Sequence, residues 1–216
     1  MGLIYPKKCL LCREPLAVSG TGNAMLCEAC ARRVRQEYRC IEGIRVSGID
    51  GVAAPLYYKG LVAEAMKRYK FSHFQHYAPW FAAQLAPLIA EHLEDWQPDL
   101  ITFIPIGMFR LYQRGYNQSK LLAEPIAAQF DLPCIPLLRK RPFSAKQSLQ
   151  KNAAKRFQNV KKSFLPMNTC DLSGKSVLII DDIITTGATV SAAASILRQM
   201  GASRVFAAAA TRTPHK

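Results

Sequence analysis

Val177-Leu-Ile-Ile-Asp-Asp-Ile-Ile-Thr-Thr-Gly-Ala-Thr189 decides the fold of this 216-residue chain. Val177, Leu178, Ile179 and Ile180 form an apolar run of the length of a strand buried on both faces, as in a parallel sheet. Asp181 and Asp182 follow at its carboxyl end. Then come Thr185, Thr186, Gly187, Ala188 and Thr189, and a helical pattern from Val190 to Met200 that stops at Gly201, a good helix-ending residue. The order is strand, acidic pair, small hydroxyl-and-glycine loop, helix. Open α/β sheets bind ligands at the carboxyl ends of their strands. A small-residue loop entering a helix offers backbone N–H groups and a positive dipole end to a phosphate. The three threonines add hydroxyl donors, and the two carboxylates can accept from sugar hydroxyls or approach Mg²⁺. The implied ligand carries a phosphate with a diol beside it, as ribose 5-phosphate does.

The other end of the chain carries Cys9-Leu-Leu-Cys12 and Cys27-Glu-Ala-Cys30, two C-x-x-C pairs separated by a turn-rich stretch at residues 19–23. Four thiolates at this spacing suit a tetrahedral Zn²⁺. The segment is too short to bury a core of its own, so metal binding supplies much of its folding free energy. Residues 1–10 hold two lysines and a proline and no apolar stretch of the kind a secretory leader needs, which argues against a disulfide framework. Cys40, Cys134 and Cys170 remain, an odd number, and point to a reducing, cytoplasmic compartment.

Half of the residues are hydrophobic, enough for one mid-sized core plus an appendage. No apolar run reaches the ~18 residues of a membrane-spanning helix, so no membrane insertion is expected. Lys and Arg number 29 against 15 Asp and Glu. The excess is uneven: between residues 132 and 170 lie Arg139, Lys140, Arg141, Lys146, Lys151, Lys155, Arg156, Lys161 and Lys162, with no acid. Such a stretch is either a solvated face with a mobile loop, or a surface for polyanions such as a diphosphate or a nucleic-acid backbone. Phe143, Phe157 and Phe164 interleave, and serve either as core anchors or as stacking platforms for single-stranded DNA. Lys151, Lys155 and Arg156 are the candidate phosphate contacts.

Elsewhere the pattern alternates. Residues 52–58 read as a strand and 61–69 as a helix ending in Lys70-Phe71. Residues 77–96 read as an apolar-striped helix, with Pro79 in its first turn and Pro87 as a kink or break. Residues 100–104 read as a buried strand and 118–130 as a helix disturbed by Pro125. Residues 134–138 read as a short edge strand, because Pro136 cannot donate to a ladder. The alanine-rich stretch 205–211 reads as a buried strand. Strands alternating with helices predict a parallel sheet covered on both faces. A boundary falls at residues 40–48, giving a metal module over 1–45 and the α/β domain over 46–216. After the strand at 100–104 comes Arg114-Gly-Tyr-Asn-Gln-Ser119, preceded by Arg110. It is either a basic turn with Asn117 or Ser119 as helix cap, or a loop facing the same crevice as Asp181.

The 177–189 segment resembles the phosphoribosyl diphosphate (PRPP) motif of type I phosphoribosyltransferases. Together with the cysteine pairs, Tyr57, Lys70-Phe71, Pro105, Arg114-Gly-Tyr-Asn-Gln118, Gln147, Arg156, Asn159 and Phe164, it makes the chain similar to the ComF family (GntX-like, competence protein F) from Cys9 to about Arg212. The resemblance implies an α/β fold of the type I phosphoribosyltransferase, Rossmann-like class. A parallel sheet is flanked by helices, and a small zinc-ribbon-like module precedes it. It implies PRPP bound with Mg²⁺, Asp181 and Asp182 on the ribose hydroxyls, and Ile184, Thr185, Thr186, Gly187, Ala188 and Thr189 around the 5′-phosphate. Arg114 and Lys70 meet the diphosphate, Asp182 orients or deprotonates a nucleophile, and the basic stretch after Leu138 closes over the site. The family's part in natural transformation implies single-stranded DNA and a DNA helicase as partners. Two readings follow. One is phosphoribosyl transfer to an acceptor. The other is a non-catalytic PRPP- or nucleotide-sensing module on DNA. This chain departs from the family where Cys40-Ile-Glu-Gly43 keeps one cysteine of a further pair, and where Phe103 stands in place of a proline.

Overall fold

Alternation along the two longest strands organises the molecule. The computed structural model describes residues 7–16, 25–40, 43, 45–142, 163–167 and 170–214. In chain order these form helix α1 (Glu28–Arg33), widening into one looser turn at Val34–Tyr38, then strands β1 (Gly51–Ala53) and β2 (Leu56–Tyr57). Helices α2 (Gly60–Phe71) and α3 (Ala78–Trp96) follow, then strand β3 (Leu100–Phe103) and helices α4 (Met108–Arg114) and α5 (Gln118–Gln129). Strands β4 (Leu138–Lys140), β5 (Phe164–Pro166) and β6 (Ser176–Ile184), helix α6 (Ala188–Gln199) and strand β7 (Arg204–Arg212) complete it.

The main sheet runs β1-β7-β6-β3, with β2 also on β7, and every pairing in it is parallel. Side chains alternate between faces with a period of two. Leu178, Ile180, Phe206, Ala208 and Ala210 enter one core, with α2, α3 and α5. Val177, Ile179, Val205, Ala207 and Ala209 enter the other, with α6, Leu138 and Phe164. This two-sided burial is why both strands read as unbroken apolar runs. Trp96 at the end of α3 stacks on Phe206, ring centroids 4.8 Å apart, and fixes that helix on the sheet.

Several elements differ from the sequence expectation, each for a local reason. The strand expected over 52–58 splits into β1 and β2 at Ala54-Pro55. Pro87 and Pro125 lie inside helices that run past them. Pro87 is exposed, so water can take the carbonyl that its ring frees, and buried Leu85, Ala86 and Ile89 hold α3 in place. Residues 134–138 do not form the expected edge strand. Cys134 makes a single bridge to Ile101, and regular pairing starts only at Leu138, antiparallel to β5. Pro133 and Pro136 withhold the N–H groups a ladder needs. Helix α4 was not legible. The cysteine-bearing segment shares the core of the sheet's first face, through Leu10, Leu11, Cys30, Val34 and Tyr38. Among the described residues, no helix is long and apolar enough to cross a membrane.

Candidate functional site

Strand β6 carries both acids, continuing through them to Ile184 beside β7 rather than ending at Ile180. Asp181 is 6% exposed and Asp182 8%. The Ser119 hydroxyl, from the first turn of α5, donates to Asp181 Oδ1 at 3.0 Å, and the Asp182 N–H donates to the same oxygen at 2.8 Å. Burial, and then the neighbouring Asp182 charge, push the Asp181 carboxyl up to about 7, against the pull of Lys70 and these two donors. Asp182 forms an ion pair with Lys70, Nζ to Oδ1 2.9 Å, and both side chains are less than one-fifth exposed.

Lys70 reaches Asp182 because α2 is pinned to α5 by the Arg114–Gln118 segment. Gly115 ends α4 in the left-handed region, φ 75°. The Tyr116 hydroxyl donates to the Tyr69 carbonyl, and the Tyr69 hydroxyl donates to the Gln118 carbonyl at 2.8 Å. Asn117 caps α5, its Oδ1 accepting from the N–H groups of Ser119 and Lys120, while its Nδ2 donates to the Ile104 carbonyl. The Gln118 amide donates to the Lys70 carbonyl and accepts from Arg114 Nη1. The Arg114 guanidinium lies over the Phe71 ring, 4.6 Å from its centroid. The segment is therefore a cap and a crevice wall at once. Burial lowers the Arg114 pKa, helped by the Arg110 charge and opposed by Asp182. Lys140 is likewise lowered by burial and by Arg110, and opposed by Asp181. Arg114, Lys70 and Lys140 thus share the field of the acidic pair.

The loop of residues 185–187 turns β6 into α6. Gly187 has φ 76°, and a Cβ there would lie 2.5 Å from Val46 Cγ1, so only glycine fits. Ala188 and Thr189 form the first turn of α6, where backbone N–H groups have no helical partner. Asp181, Ile183, Ile184, Thr185, Gly187, Thr189 and Val190 line a shallow cleft at the start of α6, a cradle of the kind that suits a small anionic group. The structure brings together Lys70, Arg114, Asp181, Asp182 and the 184–189 loop. Lys151, Lys155 and Arg156 lie outside the described residues, as do Phe143 and Phe157. Phe164 is buried under Lys140, Nζ 4.2 Å from the ring centroid, and is a core anchor. Ser119, expected only as an alternative helix cap to Asn117, instead supports the site through Asp181, and Tyr116 supports it through the Tyr69 carbonyl. The signal was present in the run that contains them.

Sγ atoms of Cys9, Cys12, Cys27 and Cys30 all lie within 4.8 Å of one another. Cys12 and Cys27 stand 3.8 Å apart, far beyond the ~2.05 Å of a disulfide. The edge of a tetrahedron built on Zn–S bonds of about 2.3 Å is about 3.8 Å. The donor set fits Zn²⁺. Cys9 accepts from the N–H groups of Cys27, Cys12 and Leu11. Burial raises its pKa, but these donors outweigh it and bring the thiol down to about 7, whereas burial and then the neighbouring thiols push Cys30 and Cys12 up. None of the seven cysteines is disulfide-bonded, and Cys40 lies outside the cluster.

Helix α4 has no buried residue. It presents Phe109 (73% exposed) and Tyr112 (91%) to solvent, with Met108 beside them and Phe71 exposed nearby. Arg110 and Arg114 project from the same helix.

Residues 117–216 match the family model of the phosphoribosyl transferase domain. Over 94% of its length the chain is 30% identical to the DNA utilization protein YhgH of Salmonella typhimurium, covering 96% of that protein. It is 25% identical to competence protein F of Haemophilus influenzae, over 92% of this chain and 93% of that one. Competence protein ComFC of Streptococcus pneumoniae shares 29%, over 89% and 80%. Among solved structures, a purine phosphoribosyltransferase from Pyrococcus horikoshii overlaps at TM-score 0.35 with 18% identity, over 60% of this chain and 71% of that one, too loosely to carry any inference.

Proposed function

The chain belongs to the ComF family, and from that premise we propose that it binds PRPP with Mg²⁺ between Lys70, Arg114, the acidic pair and the 184–189 loop. One observation carries the reading. A mostly buried cation, Lys70, already sits 2.9 Å from one of two adjacent carboxylates, at the sheet end where a glycine-bound loop opens a helix. Two carboxylates suit the 2′- and 3′-hydroxyls of a ribose, which donate to them. The N–H groups of Gly187, Ala188 and Thr189, with the threonine hydroxyls, suit its 5′-phosphate. Lys70 and Arg114 suit the diphosphate. Asp181 and Asp182 would hold a Mg²⁺ ion near the ligand, and the ion would supply positive charge against the leaving diphosphate.

The same residues fit phosphoribosyl transfer. The bond from the anomeric carbon to the diphosphate oxygen breaks and a bond to the acceptor forms. Diphosphate leaves with the electron pair, and the acceptor's proton goes to a base. Lys70 and Arg114 stabilise the charge gathering on the diphosphate. Asp182, released from Lys70 when that cation turns to the diphosphate, is placed to orient the acceptor or take its proton. The test is to incubate the purified protein with PRPP and Mg²⁺, alone, with a panel of nucleobases, and with single-stranded DNA. Acceptor-dependent release of diphosphate supports transfer. Tight binding without release in any mixture supports the sensing module instead.

Helix α4 favours a second role, contact with single-stranded DNA. A seven-residue helix with nothing buried, two exposed aromatic rings and the exposed Arg110 offers faces for bases and a charge for a phosphate. The relatives named for DNA utilization and competence support this reading. In it the protein works in the cytoplasm on incoming single strands, beside a DNA helicase. Residues 1–45 form the metal module and 46–216 the PRPP domain.

A further inference from the structure

We propose that Arg68 is the joint between the four-cysteine site and the PRPP crevice: its guanidinium stabilises the metal-bound thiolates through two peptide groups and ties them to the helix that carries Lys70. The crevice half of this inference rests on the proposed function; the metal half does not.

Leu10 and Leu11 are the two residues between Cys9 and Cys12. The Leu10 carbonyl belongs to the same peptide group as the Leu11 N–H, and the Leu11 carbonyl to the same group as the Cys12 N–H. Both N–H groups donate to Cys9 Sγ. Both carbonyls accept from Arg68 Nη2, at 2.9 and 2.8 Å. One cation therefore faces one sulfur through two peptide dipoles, and each dipole points its positive end at the sulfur. Hydrogen bonds in series polarise one another. A divalent metal on four thiolates keeps a net double negative charge, and outer groups that donate toward the sulfurs are what hold such a site together.

Arg68 is otherwise poorly provided for. Its Nε is buried without a hydrogen-bond partner, and it makes no ion pair among the described residues; Glu64, one turn earlier, pairs with Lys67. A half-buried guanidinium in that position gains from a nearby negative charge, and the thiolate cluster supplies one.

Its place in α2 makes the link to the crevice. Arg68 holds the knuckle, Tyr69 is fully buried and bonded to the Gln118 carbonyl, and Lys70 pairs with Asp182. Three consecutive residues in the last turn thus meet the metal site, the core and the acidic pair. A ligand that orders one end of such a turn favours the other, and the coupling is reciprocal.

The experiment uses the full chain, Arg68→Met and Arg68→Lys, each loaded with zinc. Zinc release to a competing chelator is measured first. Arg68→Met should lose zinc at least tenfold more readily, the scale of outer-group effects on metal affinity, and Arg68→Lys, which keeps a donating cation, should recover part of it. Amide exchange and Mg²⁺–PRPP affinity are then compared with and without zinc. In the parent, zinc removal should speed exchange in the last turn of α2 and weaken PRPP binding. In Arg68→Met, zinc should no longer affect either. Equal zinc retention in all three proteins overturns the proposal, and so does α2 exchange in the parent that ignores zinc or rises equally across the whole chain. Absence of PRPP binding in the zinc-loaded parent sinks the proposed function alone, and the exchange data still decide the role of Arg68.

Discussion

Lys70 and Asp182 form an ion pair across the crevice, Nζ to Oδ1 2.9 Å, with side chains 19% and 12% exposed. The pair joins α2 to the end of β6, and no local sequence pattern marks the contact, because the partners are separated by about half of the chain. Under the proposed function Lys70 would exchange this carboxylate for the diphosphate, and the carboxylate would accept from a sugar hydroxyl.

Lys70→Met tests that exchange. It removes a charge-assisted contact to the diphosphate, worth about 1.5–3 kcal/mol. PRPP should bind at least tenfold more weakly by calorimetry, while the far-ultraviolet circular dichroism stays that of the parent. Unchanged affinity would remove Lys70 from the site.

Asp181 gives the site a pH signature. Burial and the Asp182 charge raise its carboxyl to about 7, above the ~3.9 of an unfolded chain. The folded state therefore holds the proton more tightly. This group's contribution to stability is greatest below about pH 4, falls as pH rises toward 7, and is flat above it. A ribose diol prefers the ionised carboxylate, so PRPP affinity should rise between pH 6 and 7 and level off by pH 8. Asp181→Asn should flatten both profiles. Affinity that falls as pH rises through 7 would contradict this role.

Gly187→Ala should cost more than a loop substitution normally does. The left-handed backbone costs a non-glycine residue about 1–2 kcal/mol, and the new methyl would overlap Val46, whose Cγ1 lies 2.5 Å from its position. Lowered thermal stability and weaker PRPP binding are expected. Val46→Ala added to Gly187→Ala removes the overlap and leaves the backbone strain, so it should restore part of the loss. No recovery would mean that strain alone accounts for it.

The sheet and its helices were legible because their causes are local. Period-two burial in β6 and β7, and the C-x-x-C spacing, declare themselves residue by residue. The 184–189 loop was legible for the same reason, through Gly187 and the flanking threonines. What stayed hidden depends on distant partners. Ser119 reaches Asp181 and Tyr116 reaches the Tyr69 carbonyl only after α5 and α2 have packed. Helix α4 was hidden for the opposite reason. Its apolar residues point to solvent, so it lacks the buried stripe by which a helix is recognised in sequence.

Phe109→Ala with Tyr112→Ala should separate the two parts of DNA binding. Stacking is worth about 1–3 kcal/mol per base, so affinity for single-stranded DNA should fall tenfold or more while its salt dependence is unchanged. Neutralising Lys151, Lys155 and Arg156 should instead flatten the slope of log affinity against log salt by about 2, from roughly 0.7 per phosphate contact. Neither change should alter zinc content. Full DNA binding by the aromatic double variant would leave α4 exposed for some other partner.

Calorimetric titration of PRPP into the zinc-loaded protein, with and without Mg²⁺, beside the Asp181→Asn, Asp182→Asn double variant, tests the central claim most directly. The crevice described here predicts saturable binding that requires Mg²⁺ and is lost in the double variant, whose circular dichroism and zinc content match the parent. Equal affinity in parent and double variant, or binding that ignores Mg²⁺, would contradict it.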